Sequence, residues 1–434
     1  MRNIRSQMIA GSPVNACARC YAAEETFGTS LRTFSNQRWA AELGLDGDRL
    51  VDQSVSNGFE LAQLPIYYQL MPGNLCNLKC RMCFPEFSSM IEHDPVHRRW
   101  APAEFRGPPS RSEQEKHKMD PDREFGSTLG ELPHGPWYRD DAWVRDVLLR
   151  NAEAIRCLYF TGGEPMIENQ VENILEYLIE RGVQENVSLE FNTNCTVLRD
   201  SMLEKLQQFK RVVLSLSLDA YGVYHEYIRY PSRWSKIHHN VERLVALRSE
   251  RLQLCAAPVL QIYNALNFVE ILRYLDQMDI HYAIEIASMP WFLSVDRLPT
   301  SVRQVAAEKL RVYAGAHRGT LGDHIRSVAT YLESTADQSN EEWFRTLMLF
   351  TNDLDRTRNQ SFSAVHSELV SLLKYCGFEW TEEHSVAVVP GAEQGGPTRS
   401  WEIAGPELVA YAVQTVRRWM LAVTTLAGSF FRFN

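Results

Sequence analysis

Strand-like and helix-like segments alternate between residues 156 and 287, and no other feature constrains the fold as strongly. A further strand is predicted upstream, over residues 66–70. Repeated βα units imply a parallel sheet with right-handed crossovers. Six such units can close into a partial barrel or form an open doubly wound sheet, and periodicity alone does not decide between them. The other predicted strands are 156–161, 187–192, 212–219, 254–263 and 281–287, and the predicted helices are 167–181, 201–210, 235–249 and 268–277.

The segments on either side of this alternation differ from it. Residues 1–60 are polar and show no strand period, whereas residues 302–376 are predicted to be helical. Residues 91–140 hold seven of the nineteen prolines, which predicts a long loop or insertion because proline interrupts regular elements. We expect this insertion to cover the functional site as a lid. A linker is predicted over 390–400 and a last helix over 405–427.

The composition is that of an ordinary globular protein, with 45% hydrophobic and 23% charged residues. A formal net charge of -9 argues against a uniformly basic nucleic-acid-binding protein. No run reaches the ~18–20 apolar residues that span a bilayer, and the polar N-terminus predicts no secretory signal. We therefore expect a cytoplasmic protein with no membrane partner. Five of the nine cysteines fall in two tight clusters, which indicates metal sites rather than disulfides.

Three of the cysteines, Cys76, Cys80 and Cys83, lie in one short loop after the first predicted strand. Soft thiolates bind zinc, copper(I) or iron–sulfur clusters. Structural zinc takes four protein ligands, so a zinc site here needs His93 or His97 as the fourth. A four-iron cluster held by three cysteines would instead leave one iron open to a substrate. Both interpretations, and a chance clustering of the three cysteines, remain open on the loop alone.

Polar residues mark the ends of the next strands. Residues 162–165 form a Gly-Gly-Glu-Pro turn between a strand and a helix, at the strand end where α/β folds place their sites. In the strand over 212–219, Ser215, Ser217 and Asp219 alternate with leucines, and a period of two places all three on one face. Each unsatisfied polar group there would cost about 1–3 kcal/mol. We therefore expect this face to line a barrel that encloses a polar ligand.

The CxxxCxxC spacing of Cys76, Cys80 and Cys83 and the Gly-Gly-Glu-Pro turn together resemble the radical SAM superfamily. The resemblance implies that the three cysteines hold a 4Fe-4S cluster whose open iron binds S-adenosylmethionine (SAM). In this family, reductive cleavage of SAM gives a 5′-deoxyadenosyl radical that abstracts hydrogen from the substrate. It also implies an electron donor such as flavodoxin or ferredoxin. The substrate is expected to be a peptide, a protein or a small metabolite.

The resemblance further implies roles for single residues. Met82 stands where the family usually has an aromatic residue, and methionine can still pack against the adenine ring. Glu285, in the sixth strand, is expected to face the substrate. The other implied SAM contacts are Gly162, Gly163, Glu164 and Pro165 for the amino group, Thr193, Asn194, Ser217 and Arg229 for the carboxylate or ribose, and Gln261 and Asn264 near the adenosine.

The early cysteine pair, Cys17 and Cys20, lies in a segment that is similar to the one preceding the barrel in twitch domain-containing radical SAM proteins. Residues 351–375 resemble the tail of the same group. The resemblance implies an auxiliary iron–sulfur cluster at Cys17 and Cys20, although such a cluster takes up to four protein ligands. We expect that the chain starts inside the module or that the module is degenerate, and a zinc half-site or two free thiols also remain open.

These observations predict an α/β fold with three regions. Residues 1–62 form a small twitch-like segment, residues 63–300 a partial (β/α)6 barrel of parallel strands with the 91–140 insertion, and residues 301–434 a helical C-terminal extension. The predicted function is that of a radical SAM enzyme. The alternative is a non-catalytic zinc- or cluster-binding scaffold, which would not need the glycine–glutamate turn or a polar strand face.

Overall fold

A computed structural model describes residues 2–18, 20, 21, 24, 30–44, 46–60, 65–102 and 136–383. The chain divides into one unit of Met1–Pro65 with Ala387–Asn434 and a second unit of Ile66–Val386. The linker predicted over 390–400 and the helix predicted over 405–427 lie outside the described residues, as does most of the predicted insertion.

The first unit is helical in its described part, with α1 (Arg2–Ile9), α2 (Leu31–Leu43) and α3 (Gly47–Ser56). Helix α2 begins at Ser30, whose hydroxyl accepts a hydrogen bond from the backbone N–H of Thr33. Such a cap satisfies a donor that the first helical turn leaves unpaired. The lack of a strand period in residues 1–60 thus corresponds to helices.

The strands of the second unit are β1 (Tyr67–Leu70), β2 (Cys157–Phe160), β3 (Ser188–Thr193), β4 (Arg211–Leu216), β5 (Leu252–Ala256), β6 (Val259–Leu260), β7 (His281–Tyr282) and β8 (Glu285–Ile286). Six of them form one sheet in the order β1-β2-β3-β4-β5-β7, and β6 pairs with β8. Every neighbouring pair is parallel, which confirms the predicted α/β fold with a parallel sheet.

Two predicted strands are broken, and the strand predicted over 212–219 ends earlier than predicted. The strand predicted over 254–263 is divided into β5 and β6 around Pro258, since proline has no N–H to give to a ladder. Its partner over 281–287 is divided at the same level into β7 and β8. Strand β4 ends at Leu216, so that Ser217 lies past its end, where its N–H donates to the carbonyl of Thr193 at 2.8 Å.

One face of the sheet is apolar and buried. Phe160 and Phe191 stack on neighbouring strands with ring centroids 5.0 Å apart. On the other face, Asn192 is half-buried and donates to the Tyr159 hydroxyl at 2.7 Å. Ser215 lies beside Asn192 in the ladder. Of the three polar residues predicted to share one face, only Ser215 lies within a strand, because β4 ends at Leu216.

The helices among the strands have apolar stripes that match the buried sheet face. Helix α7 buries Val171, Ile174, Leu175 and Leu178, spaced three to four residues apart as a helix packed on one side requires. The helices are α4 (Ser89–Glu92), α5 (Pro95–Arg98), α6 (Asp141–Trp143), α7 (Asn169–Glu180), α8 (Asp200–Leu206), α9 (Gly222–Ile228), α10 (Trp234–Ala246) and α11 (Phe268–Gln277).

The proline-rich region is not without regular elements, contrary to the sequence expectation for 91–140. Pro95 begins α5, because the first turn of a helix needs no N–H from that residue. Asp94 caps the same helix by accepting from the N–H groups of Val96 and His97 at 3.0 and 3.1 Å. Residues 103–135 lie outside the described part of the chain.

The region predicted to be helical over 302–376 is helical and belongs to the same unit as the sheet. Its helices are α12 (Thr300–Ala314), α13 (Gly319–Ser334), α14 (Glu341–Arg358), α15 (Phe362–Val365) and α16 (Ser367–Tyr375). None of the helices described in either unit is both long and apolar enough to cross a membrane.

Candidate functional site

The loop that carries the three cysteines follows β1 and lies against the turn that follows β2. The N–H of Glu164 donates to the carbonyl of Leu75 at 2.7 Å, and the N–H of Gly163 donates to that of Gly73 at 3.4 Å. Because parallel strands end at the same edge of a sheet, the two loops meet there. The CxxxCxxC loop and the Gly-Gly-Glu-Pro turn are therefore brought together.

The glycines of this turn make that approach sterically feasible. A Cβ on Gly163 would lie 2.2 Å from the carbonyl oxygen of Leu75, and one on Gly162 would lie 2.5 Å from the Met71 side chain. Gly162 also has a φ of 108°, a conformation that disfavours residues with a side chain. The two glycines therefore lie closely against the chain's own cysteine loop.

Glu164 is 2% exposed and joins the turn after β2 to the end of β3. Its carboxylate accepts from the Thr193 hydroxyl at 2.8 Å, the N–H of Asn194 at 2.6 Å and the N–H of Met166 at 3.1 Å. Burial raises the pKa of Glu164 to about 7, although these three donors act to lower it. The carboxylate is therefore held in one orientation and takes up protons near neutral pH.

Asn194 contacts both the Glu164 carboxylate and the cysteine loop. Its side-chain Nδ2 lies 3.9 Å from the Cys76 sulfur and donates to the Asn77 Oδ1 at 3.0 Å. Asn77 in turn donates to the Thr196 hydroxyl at 2.8 Å. Asn77 and Thr196 were not predicted from the sequence. Asn77 stands at an unspecified position of the CxxxCxxC motif, Thr196 lies in no motif, and the contact joins residues 119 positions apart.

The three cysteines are neighbours in space. Burial raises the pKa of the Cys76 thiol to about 12, and the nearby Cys80 raises it further. Burial also raises the pKa of the Cys83 thiol, with Cys80 and Cys76 adding to the effect. If all three thiols ionised, the desolvated thiolates would repel one another, and a soft cationic centre bound to them would offset that repulsion.

Arg229 lies beside Cys80 of the cysteine loop. Its Nε donates to the Asp219 carboxylate at 2.7 Å, and its Nη1 lies 3.7 Å from the Cys80 sulfur. Asp219 is completely buried and also accepts from the N–H of Val259 at 3.0 Å. The guanidinium predicted to bind the SAM carboxylate is thus oriented toward a cysteine in the structure.

The other predicted site residues lie around the same strand ends. Asn264 is buried and donates from Nδ2 to the carbonyls of Asp219 and Val259, at 2.8 Å each. Gln261 is also buried, two residues after Val259. Burial raises the pKa of Glu285 to about 7, and Asp219 contributes to that increase. Pro165 is buried beside Glu164, and Met82 is half-buried in the cysteine loop.

Neither histidine proposed as a zinc ligand is directed at the cysteines. His97 is buried and its Nδ1 lies 3.0 Å from Arg358 Nη2, while the exposed His93 has its Nδ1 2.6 Å from the carbonyl of Ser89. Within the described residues, no three His, Cys, Asp or Glu side chains form a group that could hold a single metal ion, and this applies to Cys76, Cys80 and Cys83 as well as to Cys17 and Cys20.

The central part of the chain is similar to a known protein family. Residues 70–275 match the model of the radical SAM superfamily. This segment is a radical SAM domain. The match covers the cysteine loop, the glycine–glutamate turn and strands β2 to β5, so every residue assigned to the cysteine cluster or to SAM lies inside the domain.

Several solved structures are similar to the chain at low identity. Streptococcus suis SuiB bound to S-adenosylmethionine is 13% identical over 62% of this chain and 48% of that one, with a TM-score of 0.36. Native anSMEcpe with bound AdoMet is 17% identical over 57% and 60%, with a TM-score of 0.37. The chain thus spans between about half and three fifths of the length of these structures. No curated protein matches the sequence.

Proposed function

We propose that the chain is a radical SAM enzyme in which Cys76, Cys80 and Cys83 hold a 4Fe-4S cluster beside a SAM site at Glu164. The observation that carries this proposal is the position of Asn194. Its backbone N–H donates to the Glu164 carboxylate, and its side chain lies 3.9 Å from the Cys76 sulfur. A carboxylate suited to the SAM ammonium group is thereby fixed within two hydrogen-bonding steps of a cluster ligand.

The donor set is suited to the cluster. Soft thiolates bind iron–sulfur clusters as well as zinc and copper(I), and three ligands leave one iron of a cube open. When bound, this cluster supplies the electron that breaks a carbon–sulfur bond of SAM, and the resulting 5′-deoxyadenosyl radical takes a hydrogen atom from the substrate. The protein supplies the orientation of SAM and keeps the site dry.

The side chains around the strand ends perform that orientation. Glu164, when ionised, accepts the SAM ammonium group, and Thr193 and Asn194 keep its carboxylate from turning away. Ser217 lies next to Thr193 and is within reach of the carboxylate or ribose. Met82, half-buried, provides an apolar contact for the adenine.

The substrate belongs on the polar face of the sheet. Tyr159, Asn192 and Ser215 lie on neighbouring strands there, and the first two are joined by a hydrogen bond. A peptide, protein side chain or small metabolite would find polar partners on this face, and the 91–140 insertion would shape the choice among them. A flavodoxin or ferredoxin would deliver the electron.

The finer architecture is part of the same proposal. The order of the six parallel strands is that of an open sheet or of a partial (β/α)6 barrel, and we favour the barrel because the polar face would then enclose the substrate. Residues 1–62 would be a twitch-like segment. An auxiliary cluster at Cys17 and Cys20 would appear as iron in excess of about four atoms per chain.

SAM cleavage tests the proposal. Anaerobically reconstituted protein with a strong reductant should convert SAM to 5′-deoxyadenosine, and Cys80→Ala should abolish this reaction. Cys376→Ala is the matched control, because Cys376 lies at the end of α16, outside the radical SAM domain. A scaffold protein would give no 5′-deoxyadenosine in any of the three samples.

A further inference from the structure

Arg358, at the end of α14, is a buried cation without an acidic partner among the described residues. The residue is 4% exposed, and its Nε and Nη1 atoms have no hydrogen-bond partner there. Its Nη2 contacts the Nδ1 of His97 at 3.0 Å, and its guanidinium lies 5.4 Å from the centre of the Tyr230 ring. Burial lowers the pKa of Arg358 to about 9, so the group is still charged at neutral pH.

Asp94 is an acidic residue that raises the pKa of Arg358, but both of its carboxylate oxygens already have other partners. One Asp94 oxygen pairs with Lys79 Nζ at 2.7 Å, and the other caps α5. An isolated charge in a protein interior is strongly unfavourable unless an anion compensates it. Arg358 therefore requires a negative group that the side chains around it do not provide.

The two other buried arginines near the cysteine loop are compensated. Arg81 forms an ion pair with Asp355, and Arg229 forms one with Asp219. Lys79 and Asp94 also form a pair, so three basic residues at the loop each have an acidic partner, whereas Arg358 has none among the described residues. The buried Glu164 carboxylate accepts instead from Thr193, Asn194 and Met166.

The position of this charge relates it to Cys80. Arg229 Nη1 lies 3.7 Å from the Cys80 sulfur. The Arg358 guanidinium lies 5.4 Å from the centre of the Tyr230 ring, and the Tyr230 carbonyl accepts from the N–H of Lys79, the residue before Cys80, at 2.6 Å. Both guanidiniums thus lie beside the segment that carries Cys80, and both act to lower the pKa of its thiol.

We propose that Arg358 and Arg229 are positioning residues that provide the counter-charge of the cluster and raise its reduction potential. The proposal rests on the proposed function, because the cluster is the anion that Arg358 lacks. A cube bound by three thiolates is net negative, and one-electron reduction makes it more so. Buried positive charge and N–H groups near the sulfurs therefore stabilise the reduced form.

The first test is the midpoint potential of the cluster in the absence of SAM. Arg358→Met removes the charge while keeping much of the volume, and we expect a shift to a more negative potential. Arg358→Lys keeps the charge, so its shift should be much smaller. Arg229→Gln should also shift the potential downward. Equal potentials for the wild type and Arg358→Met at equal iron content would overturn the proposal for Arg358.

Arg229 has a competing role as a ligand of the SAM carboxylate, and the same samples separate the two. Weaker SAM binding by Arg229→Gln, with an unchanged potential in the absence of SAM, would overturn its part of the proposal. A lower potential before SAM is added would support it. Absence of a cluster from the wild type would contradict the proposed function itself, a result distinct from a cluster with unaltered potentials.

The second test is thermal unfolding with and without the cluster. Removing an uncompensated charge should leave the cluster-free Arg358→Met protein at least as stable as the cluster-free wild type. Cluster loading should then raise the Tm of the wild type more than that of Arg358→Met. An equal rise in both proteins would contradict the counter-charge role.

Arg303 provides the matched control. It is a fully buried arginine of α12 that donates to the carbonyls of Leu298 and Leu332 at 2.9 and 2.7 Å. Arg303→Met should lower the Tm by the same amount with and without the cluster and leave the potential unchanged. If Arg303→Met changed the potential as much as Arg358→Met, the effect would be general and the proposal would fail.

Discussion

Arg81, between the second and third cysteines of the loop, forms a buried ion pair with Asp355 of α14, which lies 274 residues further along the chain. Arg81 also donates from Nε to the carbonyl of Tyr227 at 3.0 Å, and its guanidinium lies 3.8 Å from the centre of that ring. The Tyr227 hydroxyl donates in turn to Asp355 at 2.9 Å. The centre of the cysteine loop is thus anchored to a C-terminal helix.

Two further contacts join the same helix to the segment after the cysteines. Trp100 Nε1 donates to Asp353 at 3.0 Å, and Arg358 contacts His97. Three residues of α14 therefore hold a stretch of chain that begins inside the cysteine loop. The C-terminal helices are part of the support of the candidate site, although the matched radical SAM domain ends at residue 275.

Asp355→Asn should destabilise the protein and impair cluster binding. The substitution leaves the Arg81 charge buried without its counter-ion, which costs about 3 kcal/mol in unfolding free energy. Urea denaturation of the cluster-free protein measures the loss of stability. The iron content after reconstitution measures the loss of cluster binding. Glu333→Gln is the control, because its partner Arg311 is at the surface and the pair contributes little. Similar losses in both variants would contradict the anchoring role.

Gly163→Ala should separate the cysteine loop from the turn after β2. The new Cβ would lie 2.2 Å from the Leu75 carbonyl oxygen, so one of the two backbones must move. A displacement of this kind can reduce a reaction rate about 100-fold, and we expect that loss in 5′-deoxyadenosine formation. Gly47→Ala, at the start of α3 with open space around it, should have no effect. A fully active Gly163→Ala would show that the close approach is not needed.

SAM affinity should depend on pH through Glu164. Burial raises the pKa of this carboxyl to about 7, so below that pH the unliganded protein carries it protonated. The SAM ammonium group binds the ionised form, and affinity should therefore fall about tenfold per pH unit below pH 7. Calorimetric titration of the cluster-loaded protein measures the slope. Glu164→Gln should bind SAM weakly with no slope, and an unchanged slope in this variant would assign the titration to another group.

Acid should destabilise the cluster-free protein through buried His366. The imidazole packs against the rings of Tyr227 and Phe362, and burial lowers its pKa to about 3. An unfolded chain takes up that proton near pH 6.5 while the folded protein does not. Stability is therefore full above pH 6.5 and falls by about 1.4 kcal/mol per pH unit below it.

His366→Phe removes this titration and keeps an aromatic ring in the same site. Urea unfolding at about pH 7.5 and pH 5.5 should show a smaller difference for the variant than for the wild type. The exposed His281 provides a control, since His281→Phe should leave the difference as it is. An identical pH dependence in His366→Phe would mean that His366 is charged in the folded protein.

The sequence predicted those parts of the fold and of the site that depend on short stretches of chain. The parallel sheet follows from the alternation of strands and helices, and the three cysteines and Glu164 follow from short motifs. The break around Pro258 follows from the missing N–H of the proline, but which residues stay paired depends on the partner strand, which divides at the same level.

The contacts that the sequence did not predict join distant residues of unremarkable type. Asn77 with Thr196, Arg229 with Cys80 and Arg81 with Asp355 are more than 100 positions apart in each case. No spacing rule relates such residues. A weak signal exists in α14, where Asp353, Asp355 and Arg358 are charged yet buried, and charges on the inner side of a helix indicate internal partners.

The most direct test of the account is the metal content and spectrum of anaerobically purified and reconstituted protein. We predict about four irons and four sulfides per chain, and a spectrum of the reduced cluster that changes when SAM is added, because SAM binds the open iron. One tightly bound zinc ion per chain, with no iron and no spectral response to SAM, would contradict it.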